Sequence, residues 1–214
     1  MIRGLEEKYK AGDYKSIVDG FPNDNALVSL TPKELMMIAW AHHHRLNATA
    51  KELSGIQKDG ARAFIIGVTD EVLEKGNTED KISALKLKPL HLWGLGARDE
   101  ALSLIEQAAI EYSEDGGLWN TKALIEIYAK KFADASASAR IAINCSLMVD
   151  DYRTAGNAAR QLAICFKEFG DMPAAFAWLS IAELYWTKSQ KETGWDAKIH
   201  IDGLANLIKQ WTTK

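Results

Sequence analysis

The sequence predicts an all-α protein built from stacked antiparallel helical hairpins, and three observations carry that prediction. Apolar residues recur with helical periodicity along nearly the whole chain, while strand-like alternation is almost absent. Proline is scarce, with 4 in 214 residues, so few segments are barred from a helix interior. Small residues also recur in register: Ala101, Ala135 and Ala175 are each followed seven positions later by Ala108, Ala142 and Ala182. Residues seven apart share a helical stripe, and alanines there let a partner helix approach closely. Ala101 and Ala135 stand 34 residues apart and Ala135 and Ala175 stand 40 apart, a period typical of helical-hairpin solenoids.

The elements follow in order. A first helix runs from about Ile2 to Ala11 and stops at Gly12-Asp13; a second covers about Tyr14 to Gly20 and ends at Phe21-Pro22-Asn23. Thr31-Pro32-Lys33-Glu34 is a helix start with three agreeing signals: a hydroxyl cap, a first-turn proline and a glutamate that completes a capping box. That helix continues to about Leu46. Further helices are expected near 48–58, 61–75 and 78–95, separated at Asp59-Gly60 and Gly76-Asn77. Turns at Gly96-Ala97-Arg98-Asp99, Lys131-Phe132-Ala133-Asp134 and Gly170-Asp171-Met172-Pro173 then divide three helix–turn–helix segments.

These segments resemble the tetratricopeptide repeat (TPR) family. Its unit of about 34 residues places Trp early in helix A, a small residue four later and two alanines in helix B. Residues 116–149 carry Trp119, Ala123, Ala135 and Ala142, and residues 156–189 carry Ala163, Phe166, Gly170, Ala175 and Ala182. Residues 82–115 carry Leu85, Leu92, Gly96, Ala101 and Ala108, with Pro89 inside the expected helix A, where it should kink or split the helix. Partial units are expected at 2–21, through Tyr9, Gly12, Asp13, Tyr14 and Phe21, and at 33–60, with Ala41 as the small residue. Trp195, Ile199, Leu204, Leu207, Ile208 and Trp211 lie close to one face, so 195–212 reads as a capping helix. Residues 1–214 thus read as a single repeat domain, and the resemblance implies a right-handed superhelix.

Composition excludes several function classes. The formal charge of −3 argues against a strongly basic nucleic-acid binder, and acidic residues interrupt the mildly basic stretch around Lys81, Lys86, Lys88 and Arg98. No apolar run approaches the ~20 residues of a membrane helix, and the N-terminus shows no secretory signal, so a cytoplasmic address is expected. Cys145 and Cys165 form no Cys-x-x-Cys motif and read as buried small hydrophobes.

Catalytic motifs are missing as well. His42, His43 and His44 are consecutive, so their side chains diverge by about 100° on a helix and cannot converge on one metal; exposure to solvent or a groove is expected. No histidine completes Glu-x-x-His or His-Glu-x-x-His. The glycines at 55 and 60 lack the lysine of a phosphate loop, Gly94-Leu95-Gly96 lacks the third glycine of a dinucleotide loop, and no Gly-x-Ser-x-Gly occurs. No metal or cofactor is expected.

In TPR arrays the A helices line a groove that receives a segment of another protein, and the resemblance carries this role over. The groove residues it implies are Lys86, Leu90 and Trp93 on the first A helix and Asn120, Leu124, Ile127 and Tyr128 on the second. The third contributes Asn157, Arg160, Ile164 and Lys167. Of the clamp through which one TPR subclass holds C-terminal carboxylates, only Lys86 matches, so binding by that clamp is not expected. The leading reading is a non-enzymatic scaffold that binds a protein segment. Two others stand beside it: a helical enzyme or ligand-binding protein with a nonlocally assembled site, and a structural subunit that self-associates, for instance as a homodimer.

Overall fold

The computed structural model describes residues 4–20, 27 and 29–213. The secondary structure of these residues is helical throughout, and the fold is all-α. Where the sequence reads as one repeat domain, the contacts divide the chain into two compact units, Met1–Ile105 and Glu106–Lys214. A stacked-hairpin protein has only nearest-neighbour contacts, so its contact network thins at every seam.

The first unit holds α1 (Leu5–Lys10), α2 (Tyr14–Gly20), α3 (Pro32–Ala48), α4 (Gly55–Lys75) and α5 (Thr78–Gly94). Helix α6 (Arg98–Glu111) crosses the division. The expected stop of the second helix at residues 21–23, with Phe21 of the 2–21 unit, falls outside the described residues. Helix α3 is the centre of this unit, packing on α1, α2, α4 and α5. Ile17, Leu35, Ile38, Ile65, Val72 and Leu87 form its core. Its start obeys the sequence signals: Thr31 Oγ1 accepts from Glu34 N at 3.3 Å, and Glu34 Oε2 accepts from Thr31 N at 2.9 Å.

The segment after α3 departs from expectation. Separate helices at 48–58 and 61–75 are replaced by one 21-residue helix, α4. Ser54 caps it with a second capping box: its Oγ accepts from Gln57 N at 3.3 Å, and Gln57 Oε1 accepts from Ser54 N at 2.9 Å. Gly60 costs about 1 kcal/mol of helix propensity but does not break the helix, because Ile65, Val68 and Val72 bury its later turns. The 33–60 unit therefore becomes an α3–α4 hairpin, and residues 61–75 belong to its second helix instead of forming an extra element. Ser54→Ala should cost about 1 kcal/mol, read as a lowered urea midpoint; an unchanged midpoint would show that the box contributes nothing.

Helix α5 runs unbroken through Pro89, which is buried. The proline withholds one N–H from the helix ladder, and burial of Ala84, Leu85, Leu87 and Leu92 holds the helix together regardless.

The second unit contains α7 (Gly116–Tyr128), α8 (Phe132–Met148), α9 (Tyr152–Glu168), α10 (Met172–Thr193) and α11 (Lys198–Thr212). Each packs on the next from α7 to α11, and α7 also packs on α9. This is the hairpin arrangement that the alanine register predicts. Ala135, Ala142, Ala175 and Ala182 are fully buried, as are Ala123 and Ala163. The longer spacing of the last repeat is partly in its first helix: α9 has 17 residues and α7 has 13.

The turns repeat a common closure. The N–H groups of Ala97, Lys131 and Asp171 each bond to the carbonyl five residues earlier, on Leu92, Glu126 and Phe166. This closure needs a left-handed residue, supplied by Gly96 and Gly170 at φ 90° and 83° and by Lys130 at φ 60°.

Helix α11 packs on α10 through buried Leu204 and through Trp211, whose ring lies 6.2 Å from that of Phe176. Two details of the expected capping helix change. Trp195 precedes the helix, which starts at Lys198, and Ile199 is 80% exposed. Ile199 is five residues from Leu204, so it points about 140° away from the buried stripe.

Candidate functional site

Helices α7 and α9 are the first helices of their hairpins and lie side by side. Asp115 and Asp151 cap them, accepting from Leu118 N at 2.9 Å and Thr154 N at 3.0 Å. Gln161 Nε2 donates to Asn120 Oδ1 at 3.0 Å, which ties the two helices together near the middle of their shared seam. Tyr128, 52% exposed, interacts electrostatically with Arg160 across the same pair of helices. Burial pulls the Arg160 guanidinium below its ordinary value, and its Nε is buried without a hydrogen-bond partner among the described residues. Gln161 Oε1 is likewise buried and unbonded.

The structure thus brings Asn120 and Tyr128 of α7 to Gln161 and Arg160 of α9. Leu124, Ile127, Asn157, Ile164 and Lys167 are half-buried on the same two helices, and Lys167 pairs with Glu168 at 2.5 Å. Lys86 and Trp93 lie on α5, in the first unit; Trp93 sits under the Arg98 guanidinium at 5.5 Å. Gln161 is the member that sequence reasoning missed. Its neighbour Arg160 fell on the expected groove row, whereas the partner of Gln161 stands 41 residues away.

On another face of α7, Lys122 Nζ donates to Glu126 Oε1 at 2.6 Å and to Ser138 Oγ at 3.1 Å. Cys165 is buried nearby, and burial together with the Glu126 charge pushes its thiol up to about 11. At neutral pH it stays a protonated thiol, a poor nucleophile.

The histidine run corrects the expectation of exposure. All three are half-buried, because α3 is flanked by other helices on several sides. They diverge to three partners: His42 lies 4.3 Å from the Phe64 ring, His44 stacks on Tyr14 at 4.5 Å, and His43 meets His91. Among the described residues, no group of three or more His, Cys, Asp or Glu side chains is placed to hold a metal, and no helix is long and apolar enough to cross a membrane.

No protein-family model matches the sequence, and no curated protein matches it. Solved structures do. A crystal structure of MamA superposes with a TM-score of 0.52 at 12% identity, covering 89% of this chain and 99% of that one. MamA residues 41 to the end, from Desulfovibrio magneticus RS-1, superpose with a TM-score of 0.53 at 13% identity, covering 87% and 92%. MamA is a protein of TPR-like helical repeats. At such low identity the likeness concerns the fold alone, and the fold of this chain is TPR-like.

Proposed function

We propose that the protein is a non-enzymatic interaction module that binds a segment of another protein along the α7–α9 face. The observation that carries this reading is the pairing of Tyr128 with Arg160 beside the Asn120–Gln161 bridge. An exposed aromatic and a poorly hydrated guanidinium are the side chains that dominate protein interfaces. Half-buried Leu124, Ile127 and Ile164 add apolar surface around them.

The test is affinity capture from the native cell extract, comparing wild type with Tyr128→Ala plus Arg160→Ala. Loss of two such contacts should lower recovery of a specific partner at least tenfold, with circular dichroism unchanged. Identical captured sets would refute binding through this face.

A further inference from the structure

Polar bridges join successive first helices of the hairpins in both units. In the second unit, the bridge between α7 and α9 is an amide pair, Gln161 to Asn120. In the first unit, α3 and α5 are joined by Trp40 Nε1 donating to Ser83 Oγ at 3.1 Å and by a histidine pair, His43 Nδ1 to His91 Nε2 at 3.1 Å. His43 Nε2 is held at 2.9 Å by Asn47 Nδ2, one turn along α3. His91 is 3% exposed. These bridges do the same mechanical job, but only the histidine pair can be charged near neutral pH.

A neutral pair needs one ring nitrogen to donate and the facing one to accept. With Asn47 donating to His43 Nε2, His43 Nδ1 carries the proton and donates to His91 Nε2. Protonation of His91 puts a hydrogen on its Nε2, so two donors then face each other and the bond is lost. A second proton on His43 costs it the Asn47 bond. The charged groups acting on the pair are His44 on α3, Arg62 on α4 and the two imidazoles themselves, all basic. Asp59 pairs with Arg62 at 2.9 Å, and Asp70 pairs with Lys88.

We propose that the His43–His91 pair is a proton-operated clasp whose protonation loosens α3 from α5, leaving the Trp40–Ser83 bond as their remaining polar tie, while the Asn120–Gln161 bridge keeps α7 on α9 over the same pH range.

Burial supports this coupling. It holds His43 down at about 4 and His91 at about 3, so each imidazole charges only on leaving the seam. In the open state both return to the ordinary value near 6.5. Between that value and about 4 the open state binds more protons, so the closed seam loses stability as pH falls through this window. At pH 5 the shift in the open–closed equilibrium is roughly 30-fold per imidazole.

Hydrogen exchange of the full chain at pH 7.5 and pH 5, corrected for intrinsic exchange rates, tests the clasp. Amides of α3 and α5 should lose at least tenfold protection at pH 5, while those of α7 and α9 keep theirs. The double variant His43→Gln plus His91→Gln, an amide pair like that of the second unit, should lose this pH response. Unchanged protection in α3 and α5, equal loss in both units, or a response that persists in the variant would each overturn the proposal. Should the variant fail to fold, imidazole titration of the wild type by NMR decides. Depressed midpoints for both rings support the clasp, and midpoints near 6.5 in the folded protein refute it.

Discussion

Replacing Gly156 with alanine is expected to destabilise the second unit by about 3 kcal/mol, the upper end of the usual overpacking range. Gly156 lies on α9 facing Trp186 of α10, and a Cβ there would overlap the indole Cδ1 and Nε1. The indole cannot retreat. It is fully buried, its Nε1 donates to the Arg153 carbonyl at 3.3 Å, and His200 of α11 packs 5.0 Å from it. Truncating the partner tests the cause. Trp186→Phe alone leaves a void, but combined with Gly156→Ala it should recover at least 1 kcal/mol relative to the sum of the single effects. Urea denaturation of the four proteins measures this cycle, and strictly additive effects would show that the clash is not what destabilises the glycine variant.

The second large effect concerns charge. Lys122→Met should cost about 3–5 kcal/mol, because it leaves the Glu126 carboxylate buried without its cation. Glu126 is 5% exposed, its Oε2 already has no hydrogen-bond partner among the described residues, and Lys122 supplies the bond to Oε1. The same lysine spans to Ser138 of α8 and lies over the Trp119 ring at 5.4 Å, so some of its loss is also packing. Lys122→Met plus Glu126→Leu removes both charges together and is expected to come within about 1 kcal/mol of wild type. If the double variant is as unstable as the single one, the cost lies in packing around the lysine stem and the charge argument fails.

Both sites expose a limit of reading a helical-repeat sequence. Gly156 and Trp186 are 30 residues apart, on different helices, and no local rule marks a glycine in mid-helix as the floor of a tryptophan pocket. Lys122 and Glu126 are four apart on one helix, so their pairing is legible. That they are buried is not, because it depends on α8 and α9 closing over them.

The candidate interaction face was legible in part. Repeat register placed Asn120, Tyr128 and Arg160 on first helices, and α7 and α9 do lie against each other. It overlooked Gln161 and the histidine pair because a hydrogen bond across 41 or 48 residues leaves no periodic trace. The run of three histidines drew attention to itself, whereas His91, alone on α5, did not.

Local chemistry and periodicity by themselves determined the helical class, the alanine-lined hairpins and the capping box at Thr31, since each rests on residues within one or two turns of one another. Tertiary structure decided the rest. It fused α4 across Asp59-Gly60, carried α5 through Pro89, put Trp195 outside the last helix and paired His43 with His91. At Gly60 and Pro89, burial against other helices outweighed a local preference of about 1–3 kcal/mol. A sequence displays the local preference, but the buried contact exists only once the helices have met.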